Sequence, residues 1–264
     1  MGRNLTPQYR VPDLSVKKQR LDRLLVAKGI APSRQRAQAM ILAGKVLVNS
    51  RPVDKAGFLV GLDDALELKG TDIPYVSRGG LKLAGALNTL GVNPAGFVCL
   101  DVGASTGGFT DCLLQNGAAR VYAVDVGYGQ LAWKLRQDPR VVVFERTNIR
   151  HMAAEAIGEP VDLATIDVAF ISLKIVVPAI TAFLKDGAHI LALIKPQFEV
   201  GKDQVGKGGV VRDADLHAQV IRSLSSFFVE LGFFSETVTP SPIRGPKGNR
   251  EFFILLRHQP EKLS

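Results

Sequence analysis

The chain is short of several things, and each shortage excludes something. Only two cysteines, Cys99 and Cys112, stand among 264 residues. That rules out a disulfide-stapled secreted scaffold, and two thiols with no neighbouring histidine pair cannot close a zinc site. Cys99 lies in an apolar strand pattern and Cys112 in a helical one, so both are expected to be buried and inert. No metal site is expected. No apolar run approaches the ~20 residues that span a bilayer. The opening stretch MGRNLTPQYRVPDLSVKKQR is charged and has no apolar centre, so no signal peptide is read there. A cytoplasmic location without stable membrane association is the default expectation. What is present is a chain with 46% hydrophobic and 22% charged residues, the balance of a soluble globular protein. Its length suits one large α/β domain and one small one.

Charge is unevenly spread. Residues 1–60 hold 12 Lys or Arg against 3 Asp or Glu, and residues 61–264 hold 21 against 22. The excess of +8 therefore sits at one end. A segregated basic segment suggests a polyanionic partner, either nucleic acid or an acidic surface.

That basic end has a readable pattern. After a polar arm over residues 1–17, Leu21, Leu24 and Leu25 give one helical face and Gly29 ends it. Ser33 is a good N-cap, Ala37, Met40 and Ile41 carry the next apolar face, and Gly44 closes it. KVLVN then alternates as a strand, a turn follows at NSRP, and a second short strand pattern completes the unit. Arg34 and Arg36 occupy the first turn of the second helix, where the macrodipole disfavours cations but attracts anions. Their placement makes sense if a phosphate docks between them. RLDRLL, SRQRAQAMI and AGKVLVN resemble the RNA-binding module named after ribosomal protein S4. The resemblance implies that residues 18–70 dock structured RNA, with Arg20, Arg23, Arg34, Arg36 and Lys45 as candidate contacts. RNA duplexes are bound largely by shape and phosphate contacts.

A linker is read over residues 71–79, marked by Pro74 and the Gly79-Gly80 pair, with a helix carrying Lys82 beginning at Leu81. From residue 80 onward strands are expected at 96–103, 120–126, 141–146, 162–168, 189–195, 235–240 and 251–257, with helical patterns between the first five. Several are unbroken apolar runs, as in a parallel sheet buried on both faces. The expected fold is α/β, with a Rossmann-like seven-stranded domain behind a small N-terminal α+β RNA-binding domain.

In such sheets ligands bind outside the carboxyl ends of the strands. The first strand ends in LDVGASTGGFTDCLL, where Gly103, Gly107 and Gly108 let the backbone approach a ligand. The dinucleotide fingerprint is missing there. Asp101, with the looser spacing through Ala104 and Ser105, looks like the S-adenosylmethionine loop of Rossmann-like methyltransferases. Asp125 ends the second strand and suits a ribose diol. Asn148, in the loop TNIR, is either an adenine contact or part of a plain polar loop. Asp167 ends the fourth strand and Lys195 the fifth. Glu251 opens the last, which brings it to the same rim if that strand runs antiparallel. Two lysines and two carboxylates then converge there.

Lys82, Asp167, Lys195 and Glu251 resemble, in order and strand context, the Lys-Asp-Lys-Glu tetrad of the FtsJ-like methyltransferase family. YVSRGGLKL, DVGASTGGFTD, AVDVGYGQL, LIKPQFEVGK and GGVVRD extend the likeness to the TlyA group of that family, over about residues 18–257. The resemblance implies S-adenosylmethionine as cofactor and methylation of cytidine 2′-hydroxyls in 16S ribosomal RNA, 23S ribosomal RNA or both. Ribosomal RNA or ribosomal subunits would be the partners. It also brings an older description as haemolysins. Within it, Lys195 is the candidate base, and Lys82, Asp167 and Glu251 orient. Burial at the end of ILALI and the Lys82 ammonium disfavour a charged Lys195, whereas the two carboxylates favour it. QFEVGKDQVGKGGVVRD is either a mobile loop closing over cofactor or RNA or a disordered surface loop, and SPIRGPKGNRE is read as a candidate phosphate-binding stretch.

Other classes make different demands. A membrane-lytic protein would need a spanning run or an amphipathic barrel pattern. A non-catalytic ribosome-assembly factor would be expected to have lost a tetrad member. RLD at 20–22 superficially resembles a pseudouridine synthase motif but belongs to the first helix of the basic module. Base N-methylation would favour an Asn/Asp-Pro-Pro-aromatic run where DVAF stands, and cytosine carbon methylation needs a cysteine near the fourth or sixth strand.

Overall fold

The computed structural model describes residues 18–68 and 73–258. The arm read over 1–17 and residues 69–72 of the expected linker lie outside the described residues. The chain divides into two compact units, Met1–Asp72 and Ile73–Ser264. Residues 73–79, read from sequence as linker, therefore belong to the larger unit.

In the smaller unit, β1 (Lys18–Arg20) leads into α1 (Leu21–Ala27) and α2 (Arg34–Leu42). Then come β2 (Val46–Val48), β3 (Arg51–Pro52), β4 (Leu59–Gly61) and β5 (Leu66–Leu68). Leu21, Leu24 and Leu25 pack against Ala37, Met40 and Ile41, with Val46, Val48 and Val60 closing the core. The Ser33 hydroxyl accepts the Arg36 amide at 3.2 Å, capping α2 as its sequence position suggests. Asn49 and Ser50, with φ of 50° and 61°, form a two-residue loop joining β2 to β3. Positive φ at both positions gives the turn the twist that a tight hairpin needs. β1 pairs antiparallel with β4. Each has three residues, too few to show alternation in sequence.

The larger unit runs α3 (Arg78–Leu90), β6 (Val98–Val102), α4 (Gly108–Gln115), β7 (Arg120–Val124), α5 (Trp133–Arg136) and β8 (Val141–Phe144). It continues with β9 (Val161–Ile166), α6 (Leu173–Ala179), β10 (Leu184–Ile194), α7 (Ala214–Glu230), β11 (Phe233–Pro240) and β12 (Phe252–His258). The strands form one sheet in the order β11-β12-β10-β9-β6-β7-β8. β12 pairs antiparallel with both neighbours, and the other described pairings are parallel. This is the expected seven-stranded Rossmann-like sheet. Alternate residues of one strand feed opposite faces: Cys99 enters one core, Leu100 and Val102 the other. Apolar runs such as Ile190–Ile194 follow from burial on both sides.

Two expectations are corrected. No α-helix separates β8 from β9, only short 3-10 turns at Ile149–His151 and Ala154–Ala156. Gly158 and Pro160 close the segment on its β9 side, so no helix extends past Ile157. Helix α3 also begins earlier than Leu81, so Gly79 and Gly80 lie inside its first turn. A Cβ on Gly80 would run into the Tyr75 ring, so Gly80 serves close packing rather than a boundary.

Candidate active site

The rim at the carboxyl ends of β6, β7, β9 and β10 opens into a cavity of about 930 Å³. That is within the range of small-molecule sites. Its first wall is the turn between β6 and α4. Gly103 has φ +84°, and a Cβ there would stand 2.6 Å from the Asp167 carbonyl oxygen. Only glycine lets the chain leave β6 so close to β9. Gly103, Ala104, Ser105 and Gly108 line the cavity. Gly107 does not: a Cβ there would strike the Leu135 and Leu131 side chains.

Asp101 is displaced from the role expected of it. It is fully buried and does not line the cavity. Its Oδ2 accepts the Thr110 amide at 2.9 Å and the Thr110 hydroxyl at 2.6 Å, and its Oδ1 accepts the Thr165 hydroxyl at 3.2 Å. The side chain thus ties the first turn of α4 to β6 and β9 and holds the glycine loop from behind. Burial pushes its carboxyl up to about 6, against the opposing pull of these donors.

Asp125, just past β7, lines the cavity. Its Oδ2 accepts the Ser105 amide and its Oδ1 the Gly127 amide, both at 2.7 Å. Each oxygen keeps a further lone pair for a ligand hydroxyl. Asn148 also lines the cavity, but its side-chain oxygen accepts the Arg150 amide at 3.1 Å. Its NH₂ group is the part left to address a ligand. Gln130, not singled out from the sequence, reaches over from the next loop, accepting the Ser105 hydroxyl at 3.3 Å. That loop is pinned by the Gly129 amide on Glu145, which also pairs with Arg136.

The four tetrad candidates form two ion pairs. Lys195 Nζ lies 2.6 Å from Asp167 Oδ1, with side chains 13% and 21% exposed. Oδ1 makes no aligned hydrogen bond, so charge rather than hydrogen-bond alignment holds this contact. Lys82 Nζ donates to Glu251 Oε2, also at 2.6 Å, and this pair is almost wholly buried. Lys82, Asp167 and Lys195 line the cavity, while Glu251 stands behind Lys82. The antiparallel register Ile194↔Phe252 is what brings the start of β12 beside the end of β10.

Glu251 is enclosed by its own loop. Gly245 is buried against it, and a Cβ there would strike Oε1. Asn249 fastens that loop to the segment after Lys195, accepting the Val211 amide and donating to the Gly209 carbonyl, both at 2.9 Å. The stretch read as a mobile loop therefore contains short 3-10 turns, a Gly206–Val210 bridge and these anchors. Arg244 lines the cavity as well. Missed from the sequence, besides Gln130, were Ser77, Arg78 and Phe170 at the cavity wall. Ser77 carried a signal, since a serine before a glycine-rich helix start is an N-cap; its hydroxyl accepts the Gly79 amide at 3.2 Å. Phe170 carried none. It is 91% exposed at φ +64°.

In the smaller unit the arginines are not all surface groups. Asp22 is fully buried and accepts from Arg20 Nε at 3.0 Å, Arg34 Nε at 2.9 Å and Gln38 Nε2 at 3.0 Å. The Arg20 guanidinium holds its carboxyl well below the usual range, against the cost of burial. Arg34 is tied to Asp22 through Nε while its side chain stays half exposed, so one of its donors is already used within the unit. Arg23 is exposed and Lys45 half-buried. Both cysteines are buried, and burial pushes the Cys112 thiol up to about 12.

The family model for FtsJ-like methyltransferases matches residues 75–258, and that for the S4 domain residues 19–66. The 16S/23S rRNA (cytidine-2′-O)-methyltransferase TlyA of Mycobacterium tuberculosis is 50% identical over 244 residues, 92% of this chain and 91% of that protein. Hemolysin A of Brachyspira hyodysenteriae is 42% identical over 234 residues, 88% of this chain and 97% of that protein. The solved structure of a candidate hemolysin from Streptococcus thermophilus is similar at TM-score 0.73 and 42% identity, covering 93% of this chain and 90% of that one. With 75–258 matched and relatives of this closeness spanning both units, the chain belongs to the FtsJ-like methyltransferase family and carries an S4 domain before the catalytic fold.

Proposed function

We propose that this protein transfers a methyl group from S-adenosylmethionine to the 2′-hydroxyl of a cytidine ribose in 16S ribosomal RNA, 23S ribosomal RNA or both. The observation that carries the reading is the convergence of Lys82, Asp167 and Lys195 on one cavity with Asp125 and the Gly103 turn. The M. tuberculosis relative named for this reaction supports it. The cavity fits the cofactor: it is large enough, Asp125 offers carboxylate lone pairs for a ribose, and the glycine turn leaves room where a Cβ would intrude. Bound there, S-adenosylmethionine supplies an electrophilic methyl group.

The protein's task is to align a weak nucleophile with that methyl group. A ribose hydroxyl is poorly acidic, so positioning and a nearby proton acceptor supply most of the rate. Lys195, acting as a neutral amine in this step, would take the hydroxyl proton on Nζ as the ribose oxygen bonds to the methyl carbon and the donor's carbon–sulfur bond breaks, leaving a neutral thioether. Asp167 fixes Lys195 from 2.6 Å, and Glu251 fixes Lys82. The S4 unit supplies RNA affinity, and the acceptor is ribosomal RNA, either free or in assembled subunits. Mapping methylated riboses in ribosomal RNA from cells with and without the protein tests the reading. An unchanged map would overturn it. Because one relative is named a hemolysin, leakage of liposomes by pure protein is the matching control. Among the described residues no helix is long and apolar enough to cross a membrane.

A further inference from the structure

The ladder between β9 and β10 stops at Ala192↔Ile166, yet the two chains remain linked beyond it. Lys195 pairs with Asp167 at 2.6 Å. Three residues further along each chain, the Phe198 and Phe170 rings lie 5.0 Å apart between centroids. Next, Glu199 accepts the Ser172 hydroxyl on Oε2 at 2.6 Å and the Leu173 amide on Oε1 at 2.8 Å. Contacts 167–195, 170–198 and 172/173–199 therefore run in step, although residues 168–172 and 195–200 are not strand.

Glu199 forms the outer end of this series. It follows Lys195 through a 3-10 turn closed by the Phe198 amide on the Lys195 carbonyl, at 2.8 Å, and the Glu199 amide on the Pro196 carbonyl, at 3.0 Å. Little slack separates the carboxylate from the lysine. Its partners open helix α6, directly after the Asp167 loop. Ser172 is the cap of that helix and accepts the Lys174 amide at 3.1 Å. Glu199 thus uses both carboxylate oxygens to seize the start of the element that Asp167 leads into. The group is costly to place there, since burial pushes its carboxyl upward, with Ser172, Leu173 and Lys174 acting against that. A neutral side chain would avoid the cost, which argues that the two hydrogen bonds are what the position requires.

Resting on the methyl-transfer reading above, we propose that Glu199 is a positioning residue. It clamps the Lys195 loop to the Asp167 loop and so sets the angle at which the Lys195 amine meets the ribose hydroxyl. Glu199 does not line the cavity itself, so it acts through Lys195 and Asp167. It lines instead a separate crevice of about 180 Å³ together with Lys174, Gln204 and Ser223.

The test compares full-length wild type with Glu199→Gln, Ser172→Ala and Ser172→Thr. Glutamine keeps the shape but offers one acceptor where two donors converge. Single-turnover methyl transfer to ribosomal RNA is measured alongside cofactor and RNA dissociation constants. Hydrogen exchange of segments 167–173 and 195–200 is followed on the same proteins. The clamp predicts that Glu199→Gln lowers the rate about 10- to 100-fold, the scale of a small misplacement of reacting groups. Both dissociation constants should stay within about twofold, the mark of an interaction felt only in the transition state. Ser172→Ala should be a milder version, Ser172→Thr should restore the rate, and exchange should quicken in both segments together. A wild-type rate in Glu199→Gln, or exchange unaltered in either segment, overturns the proposal. A fall in rate matched by weaker cofactor binding overturns it too. If Glu199→Gln does not fold, Ser172→Ala decides on the same criteria. Exchange is read without substrate, so a wild type that methylates no ribosomal RNA would count against the assigned reaction while exchange still decides the clamp.

Discussion

Lys82 Nζ donates to Glu251 Oε2 at 2.6 Å although 169 residues separate them in the chain. The hydrogen bond joins the first helix of the larger unit to the residue just before its last strand, in a place where neither charge reaches water freely. Removing one partner of a buried ion pair costs about 3–5 kcal/mol, because the other is left uncompensated. The two residues therefore cannot be probed for chemistry alone by truncation.

Gly245 offers a gentler probe of the same pair. A methyl group at this position would strike the Glu251 carboxylate. Gly245→Ala should displace that carboxylate and weaken its hold on Lys82. Overpacking of this kind costs about 1–3 kcal/mol. The expected outcome is a folded protein with a lowered melting temperature and a methylation rate down by at least about tenfold. Calorimetry and single-turnover kinetics check it, and an undiminished rate would show that Glu251 need not hold Lys82 in place.

Asp101 predicts a pH dependence of stability. Its folded carboxyl titrates at about 6, above the value of about 3.9 expected in the unfolded chain. Between these values the folded state keeps a proton that the unfolded state has released. Stability from this group is therefore largest below about pH 4 and falls as pH rises through about 6. Asp101→Asn removes the titration. Urea unfolding at about pH 4.5 and 7.5 should show the variant gaining about 1–3 kcal/mol relative to wild type at the higher pH. A difference between variant and wild type that does not change with pH would contradict this.

In the S4 unit, Arg34→Glu is a poor test of RNA binding, since it sets a second carboxylate beside buried Asp22. Arg23→Glu with Lys45→Glu is the cleaner pair, because it leaves the Asp22 cluster intact. This double variant should bind ribosomal RNA more weakly. Its salt dependence should flatten by about 0.7–0.9 for each phosphate that it no longer neutralises. Its melting temperature should be unchanged. Asp22→Ala should do the reverse, destabilising the unit by about 1–3 kcal/mol as three donors are deprived of their acceptor. Filter binding over a salt series, with thermal melts, separates the two.

The elements most legible in the sequence were those with long apolar runs. Ile190–Ile194 could hardly be anything but a buried strand, and the charged residue ending it pointed to the rim. The antiparallel last strand was only a condition in the sequence, and the register Ile194↔Phe252 supplies it. What the sequence hid were roles set by burial. Asp101 and Asp125 both end strands in similar contexts, yet one is sealed inside holding a helix start and the other faces the cavity. Asp22 looks like an ordinary surface acid between arginines, whereas folding makes it their shared acceptor. Strands β1 and β4, and the packing role of Gly80 against Tyr75, were invisible because three residues show no period and a glycine does not announce its neighbour.

The central claim is that the Lys195 amine, 2.6 Å from Asp167 at the cavity wall, takes the proton of a ribose hydroxyl. Single-turnover transfer by Lys195→Ala, on ribosomal RNA lacking the modification, tests it most directly. The account predicts transfer reduced by at least about 10³-fold, with cofactor affinity nearly unchanged, on the scale of losing a proton acceptor. Full methylation of the same ribose by Lys195→Ala would contradict it.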